Sequence, residues 1–103
     1  MQGIRLHSRD GIDAMVLEEF DLPAPGTGEA QIAVHAAGVN FGDTLMVTGQ
    51  YQEKPDLPFS PGMEAAGEVI ALGAGVDNVS VGDRVMGSIG YGGFAEAANV
   101  PAA

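Results

Sequence analysis

Glycine and proline occur so often in this chain that they decide which elements it can form. There are 16 glycines and 6 prolines among 103 residues, and only short apolar runs lie between them. Glycine supplies turn dihedrals and proline lacks a backbone N–H, so both residues interrupt helices and strand ladders. This pattern favours short strands and many turns over helices. We expect a single, mainly β domain, because a chain of this length is too short for two typical cores.

Six short apolar runs predict six strands, which is enough for a small closed or half-closed barrel. A period of two is clear in residues 30–38, where Ile32, Val34 and Ala36 share one face of the predicted strand. The Asp-Gly pair at residues 10–11 is a signal for a tight hairpin between the first two runs. The predicted strands are residues 4–8, 14–22, 30–38, 65–72, 84–88 and 94–100.

A short helix is predicted between the third and fourth strands. Phe41, Leu45 and Thr48 lie three or four residues apart, and Asp43 falls in the first turn, where a carboxylate suits the helix dipole. We expect one or two helical turns that end at Gly49.

The segment at residues 55–62 carries three prolines and is predicted to be extended, irregular and exposed at the surface. Because it leads into the next strand, it is expected to bring Met63 and Glu64 to a defined place. That makes it a candidate for positioning functional residues.

The charge balance excludes two classes of partner. Lys and Arg number 4 against 14 Asp and Glu, for a formal net charge of −10. Such acidity opposes binding to nucleic acid or to an anionic membrane face. No run approaches the roughly 20 apolar residues of a membrane-spanning helix, and no apolar signal core follows Met1, so a cytoplasmic location is expected.

Two glycine clusters invite comparison with nucleotide-binding loops. Residues 73–75 read GAG and residues 90–93 read GYGG, but neither forms Gly-x-Gly-x-x-Gly between a strand and a helix, and position 78 is Asn. Both clusters are therefore predicted to be turns that use positive φ angles. A nucleotide-binding half is expected to be absent from this chain.

Other residues that could carry chemistry are few. The chain has no cysteine, and no serine stands in a Gly-x-Ser-x-Gly motif. His7 and His35 each lack a second histidine at the spacing of a metal pair, so both are predicted to be surface imidazoles. Hydrolase chemistry and a cysteine-based zinc site are not expected.

Three motifs nevertheless occur in a specific order: GVNFGD at residues 38–43, PGMEAAG at 61–67 and VGDRV at 81–85. Together they resemble the N-terminal catalytic domain of the medium-chain dehydrogenase/reductase superfamily, in particular its NADPH:quinone oxidoreductase branch. The resemblance covers essentially all of residues 1–103. It implies a GroES-like, partly open β-barrel with one short helix, without the Rossmann domain and truncated at its C-terminus relative to the family.

The same resemblance implies that the chain holds no metal. Zinc-dependent alcohol dehydrogenases of this superfamily place a ligand Cys where this chain has Asn40, and a ligand His where it has Met63. An amide and a thioether are poor zinc ligands, and Glu64 alone does not make a site. The four-Cys zinc lobe that those enzymes carry after the third motif has no counterpart here.

Site residues are implied one by one. Asn40 matches a position near the nicotinamide end of NADPH, and Tyr51 matches a tyrosine of the quinone pocket and is the candidate catalytic residue. Phe41 and Met63 complete the candidate substrate pocket. Some family members have Tyr where this chain has Leu45. From the residues alone, Asn40 also suits a helix cap and Tyr51 suits an aromatic loop anchor.

The resemblance implies hydride transfer from NADPH to a quinone or conjugated carbonyl, within a homodimeric parent enzyme. Residues 1–103 alone are expected to be inactive and to self-associate or be marginally stable. One alternative is a GroES-like binding module of co-chaperonin type without redox activity, which would give the native mass of a seven-membered ring. A second is a single-domain scaffold that binds a small molecule in an exposed half-cleft.

Overall fold

The computed structural model describes residues 1–102 and shows a mainly β fold with one short α-helix, as predicted. The order of elements also follows the prediction. The strands are β1 (Gln2–Leu6), β2 (Met15–Glu19), β3 (Glu29–Gly38), β4 (Glu64–Leu72), β5 (Arg84–Ser88) and β6 (Ala97–Pro101); the helix is α1 (Phe41–Val47), and a 3-10 turn covers Ile12–Ala14.

The strands form two antiparallel sheets that together make a partly open barrel. The larger sheet has the order β5-β4-β3-β6, and the smaller one pairs β1 with β2. Two isolated bridges, Gly3 with Ala95 and Leu6 with Phe59, connect β1 to the segments that flank the larger sheet. These bridges close part of the barrel wall and place β1 beside Phe59 and Ala95.

Two clusters of buried side chains fill the interior. The first lies on the larger sheet, and the second joins β1, α1 and the segment around Phe59. The helix buries Met46 and Val47 in the second cluster, so tertiary packing fixes an element too short to be stable alone. Among residues 1–102, no helix has the length and apolarity needed to cross a membrane. The first cluster contains Ala30, Ile32, Ala65, Val69, Ala98 and Val100, and the second contains Leu6, Met46, Val47 and Phe59.

The alternation predicted for the third strand is correct only for its first half. Ile32 is buried and Val34 is half-buried, but Ala36 is exposed. The register between β3 and β4 shifts between Val34 and Ala36. An irregularity of this kind changes the face that the following residues occupy, so the period of two is interrupted.

The prediction that residues 55–62 lie exposed is correct for Asp56 and Pro58 but wrong for five of the eight residues. Pro55 and all four residues from Phe59 to Gly62 are buried. The cause is a long-range backbone pairing: the Leu6 N–H donates to the Phe59 carbonyl (2.8 Å) and the Phe59 N–H donates to the Leu6 carbonyl (3.2 Å). Residue 59 is not a proline, so it keeps the donor that this pairing needs.

The turns agree with the sequence in part. Gly75, Gly90 and Gly92 have positive φ angles, as predicted for the two glycine clusters. Strands β1 and β2 pair as predicted, but residues 7–14 connect them, so the Asp-Gly pair does not form a two-residue hairpin turn. The last strand begins at residue 97 and not at 94, because the Phe94 N–H donates to the Pro61 carbonyl (3.0 Å).

Strand glycines provide a test of this packing. A Cβ added at Gly67 in β4 would overlap the Ala33 carbonyl of β3, whereas one added at Gly87 in β5 meets nothing within 4 Å. Gly67→Ala should therefore lower the free energy of unfolding by ~2 kcal/mol or more, because the paired backbone must move. Gly87→Ala should change it by less than about 0.5 kcal/mol. Urea unfolding of both variants measures this difference, and equal effects would contradict the close strand packing.

Candidate functional site

The first motif places Asn40 at the N-cap of α1. Asn40 has extended dihedrals (φ −123, ψ 156), and its backbone N–H donates to Asp43 Oδ2 (2.9 Å). The Asp43 N–H in turn donates to the Asn40 carbonyl (3.0 Å). Asn40 thus occupies the N-cap position, as the residues alone suggested, but the capping bonds come from the Asp43 carboxylate and the backbone and not from the Asn40 side chain. Asn40 is also exposed, so it is open to a ligand.

Asp43 is buried and fixes the start of the helix. It is only 5% exposed, and its Oδ1 has no hydrogen-bond partner among the described residues. The sequence predicted a carboxylate in the first turn, but periodicity gave no sign that it would be buried. Because Oδ2 holds the backbone N–H of Asn40, the position of Asn40 depends on Asp43.

Two apolar side chains flank Asn40 at the surface. Val39 is 80% exposed and Phe41 is 77% exposed. Large side chains with this exposure, side by side with an exposed amide, form a local patch that can contact a ring-shaped ligand or another protein surface. We call Val39, Asn40 and Phe41 the apolar rim.

Tyr51 and Met63 meet at Gly42, in the first turn of α1. A Cβ added at Gly42 would lie 2.6 Å from Met63 Sδ and 3.2 Å from Tyr51 Cε1. Both side chains therefore occupy the space that a larger residue at position 42 would fill. The structure thus brings together two of the candidate residues, Tyr51 and Met63. They meet at Gly42, which lies two positions after Asn40 in the chain.

Tyr51 is half-buried and packs against the cluster of Leu6, Met46, Val47 and Phe59. This contact fits the role of loop anchor. It also holds the aromatic ring in place, which a residue that contacts a ligand requires. Leu45, at the position where some family members have Tyr, is half-buried on the same helix.

Backbone contacts at Met63 and at the preceding Gly62 fix the position of Met63. Its carbonyl accepts from the Ile89 N–H (2.8 Å) and the Gly90 N–H (3.3 Å). The preceding residue, Gly62, has φ +112, and a Cβ there would lie 2.7 Å from the Phe94 N. Only glycine fits this approach, so residues 89–94 determine where Met63 is placed.

Glu64 begins β4 opposite Gly38 and is exposed. Its carboxylate lies against Gly38, in space that a Cβ at position 38 would occupy. Within residues 1–102, no three His, Cys, Asp or Glu side chains are grouped so that they could hold a metal ion.

His7 and His35 are exposed as predicted, and His7 Nε2 lies 2.6 Å from Glu18 Oε1.

Gly42 is the site residue that the sequence reasoning missed. A glycine in a helix costs about 1 kcal/mol relative to alanine, so its presence in the first turn is a signal of close packing. Asn40 and Phe41 are exposed, so the candidate site is open at this end. Three cavities of about 470, 250 and 560 Å³ are lined by residues other than Asn40, Tyr51 and Met63.

Comparison with known proteins identifies a family. The family model described as the alcohol dehydrogenase GroES-like domain matches residues 26–103. The chain is 47% identical over 83 residues to the quinone oxidoreductase-like protein 2 homolog of Nematostella vectensis, covering 81% of this chain and 23% of the relative. It is 46% identical over 81 residues to the synaptic vesicle membrane protein VAT-1 homolog of Rattus norvegicus, covering 79% and 20%.

Solved structures of quinone oxidoreductases have the same fold as this chain. The Escherichia coli quinone oxidoreductase complexed with NADPH superposes with a TM-score of 0.89 at 34% identity, covering 99% of this chain and 31% of that one. The chain therefore spans about a quarter or less of the length of the curated relatives named above, and about a third of this structure. These matches confirm the resemblance that the three motifs predicted.

Replacing Gly42 tests the contact between Tyr51 and Met63. In Gly42→Ala the Met63 thioether has to move, because the new Cβ would lie 2.6 Å from its sulfur. The NMR signals of the Met63 methyl and the Tyr51 ring should both shift, while the signal of the exposed Met86 methyl stays in place. Gly87→Ala is the matched control and should leave the Met63 and Tyr51 signals unchanged. Unshifted Met63 and Tyr51 signals in Gly42→Ala would contradict the described packing.

Proposed function

Because the chain belongs to the family of alcohol dehydrogenase GroES-like domains, we propose that it forms the catalytic-domain portion of a zinc-independent, NADPH-dependent oxidoreductase. Its proposed substrate is a quinone or a conjugated carbonyl. The observation that carries the proposal is the meeting of Tyr51 and Met63 at Gly42, beside the exposed Asn40. Relatives named as quinone oxidoreductases, one of them solved with NADPH, support the reaction class.

The apolar rim suits the nicotinamide end of NADPH. A nicotinamide is a planar ring with a carboxamide, and the rim offers an exposed amide at Asn40 between two exposed apolar side chains. Asn40 would hold the carboxamide, and Phe41 would contact the ring. When bound, the cofactor supplies the hydride. Neither glycine cluster of this chain suits a pyrophosphate, so the rest of NADPH would bind a nucleotide-binding domain outside residues 1–103.

Tyr51 is proposed to stabilise the negative charge that develops on the acceptor oxygen. A hydroxyl that donates a hydrogen bond to such an oxygen lowers the barrier when it is already held in position. The packing of Tyr51 on the second core cluster provides that fixation. Phe41 and Met63 would form apolar walls that exclude water from the acceptor ring.

Hydrogen-bond donors are proposed to take the place of a metal. The residues at the ligand positions of zinc-dependent relatives are Asn40 and Met63, and Glu64 is the only carboxylate among the three. Zinc prefers thiolate, imidazole and carboxylate ligands, so this donor set does not fit zinc. The polarisation of the acceptor carbonyl therefore falls to Tyr51 and to backbone N–H groups.

Other expectations of the sequence stay predictions. The co-chaperonin alternative gives no role to helix α1 or to the buried residues 59–62, both of which shape the candidate site. A cytoplasmic location, a homodimeric parent enzyme and the inactivity of residues 1–103 alone also stay predictions. Relatives named as synaptic vesicle membrane protein homologs show that names in this family point to more than one location.

The proposed reaction can be tested in a chimera. Residues 1–103 would replace the matching third of the Escherichia coli quinone oxidoreductase, which supplies the nucleotide-binding part. The chimera should oxidise NADPH in the presence of a quinone, while the 103-residue chain alone should not. Tyr51→Phe should lower kcat/KM by roughly 10- to 100-fold, because one donor to the developing oxyanion is lost.

Tyr91→Phe is the matched control, since Tyr91 is the second of the two tyrosines and lies outside the candidate site. It should leave kcat/KM within about twofold of the parent chimera, a change too small to signify a lost transition-state contact. Equal rates for the Tyr51→Phe and parent chimeras would exclude the proposed role of Tyr51. An inactive chimera that still binds NADPH would count against the assignment to quinone reduction.

Self-association of the 103-residue chain gives a separate test of the apolar rim. Because Val39 and Phe41 are so exposed, the mass from sedimentation velocity should rise above the 10.5 kDa monomer with increasing concentration. Phe41→Gln should weaken this rise, and Val81→Gln, at an exposed position outside the rim, should not. A monomer at every concentration would show that the rim is no contact surface for a second copy.

A further inference from the structure

A cleft of about 470 Å³ lies apart from the candidate site and has no role in the proposed reaction. It is lined by Met1 and Arg5, by residues 20–23 after β2, by Glu29, and by residues of the segments 56–60 and 91–99. Its volume is within the range of small-molecule sites. None of Asn40, Phe41, Tyr51 and Met63 lines it.

Within the described part of the chain, two positive groups belong to residues that line this cleft, the Arg5 guanidinium and the N-terminal ammonium of Met1. The ammonium is already paired, because it lies 3.2 Å from Glu19 Oε2 and donates to the Phe20 carbonyl (3.1 Å), which leaves Arg5 as the candidate for a ligand.

The Arg5 side chain is only 16% exposed, and its Nε is buried without a hydrogen-bond partner among the described residues. The nearest carboxylate oxygen, Glu18 Oε1, lies 3.9 Å from that nitrogen, which is beyond hydrogen-bonding distance, and it lies 2.6 Å from His7 Nε2. Glu18 therefore forms an ion pair with Arg5 but no hydrogen bond to Nε. Because Nε itself is buried, an anionic ligand in the cleft would be bound by the other N–H groups of the guanidinium.

Phe20 fixes the orientation of the guanidinium. The Arg5 Cζ lies 4.1 Å from the centroid of the Phe20 ring, in a cation–π contact. Gly3, two residues before Arg5 on the same face of β1, makes room for this ring, because a Cβ there would lie 2.9 Å from Phe20 Cε1. The charge is therefore held in place before any ligand binds.

The walls of the cleft suit an aromatic body. Phe59 and Tyr91 meet edge to face, with 5.9 Å between ring centroids and an interplanar angle of 81°. Phe20 provides a third ring, and Pro58 adds apolar surface. Offset and edge-to-face contacts of this kind favour a bound ring over an aliphatic chain.

Carboxylates that line the cleft limit the negative charge that a ligand can carry. Among residues 1–102, three carboxylates line the cleft: Asp21 and Asp56 are exposed, and Glu29 is half-buried. Their negative charges oppose a doubly charged group such as a phosphate monoester, whereas a single carboxylate can be balanced by Arg5. The lining thus selects one negative charge on a planar apolar molecule.

We propose that this cleft binds a small aromatic monocarboxylate, with its carboxylate on Arg5 and its ring among Phe20, Phe59 and Tyr91. The proposal does not rest on the proposed oxidoreductase function, because none of Asn40, Phe41, Tyr51 and Met63 lines the cleft; Phe59 connects the two sites, as a wall of the cleft and a member of the core cluster on which Tyr51 packs. Binding here requires neither NADPH nor a second domain.

Titration of the ¹⁵N-labelled 103-residue chain with sodium benzoate tests the proposal by amide chemical shifts. Saturable shifts are expected at Arg5, Phe20 and Tyr91, with none at Asn40 or Tyr51. Benzyl alcohol, a neutral molecule of similar shape, should bind at least about 10-fold more weakly, because it lacks the charge that Arg5 pairs with. Phenyl phosphate should also bind more weakly than benzoate.

Arg5→Met keeps an unbranched side chain without the charge and should weaken benzoate binding at least about 10-fold. Arg84→Met removes an exposed arginine that does not line this cleft and is the matched control, with unchanged binding. Equal binding of benzoate and benzyl alcohol to the unmodified chain would overturn the proposal even if Arg5→Met fails to fold. Tighter binding of phenyl phosphate, unchanged binding by Arg5→Met, or an absence of saturable shifts would overturn it too.

Discussion

The backbone contact between residues 60–62 and residues 92–94 holds the candidate site together. The Gly92 N–H donates to the Ser60 carbonyl (2.8 Å), and the Phe94 N–H donates to the Pro61 carbonyl (3.0 Å). The approach is so close that only glycine fits at position 62. On one side of this contact, Met63 is placed beside Gly42; on the other, Phe59 pairs with Leu6 and joins the core cluster on which Tyr51 packs.

Elements set by local sequence were predicted well, whereas features set by distant contacts were not. The bounds of β5 agree with the prediction, and α1 begins directly after Asn40 as expected. The sequence did not predict that Ala36 is exposed, because a shift in strand register is not visible in a period-of-two pattern. Burial of residues 59–62 was missed for a related reason, since it depends on pairing with Leu6, more than 50 residues earlier.

The candidate site itself came from the motifs and not from periodicity. Asn40 and Met63 are informative because of the residues that metal-binding relatives carry at those positions, while nothing local distinguishes Tyr51 from a loop anchor. The structure adds the contact at Gly42 and the burial of Asp43. The Arg5 cleft could not have been predicted, because it assembles residues from both ends and the middle of the chain. Two separate surfaces of one small barrel thus differ in character: the apolar rim is exposed, and the cleft is lined by Arg5 and aromatic rings.

The central claim is that Asn40, Tyr51 and Met63 form one wall of a nicotinamide-dependent active site. A crystal structure of the chimera with NADPH tests this most directly. We expect the nicotinamide ring to contact Asn40 at about 4 Å or less, with Tyr51 and Met63 facing the space where the acceptor would lie. A nicotinamide bound against another surface of the barrel, with Asn40 and Tyr51 out of contact, would contradict the account.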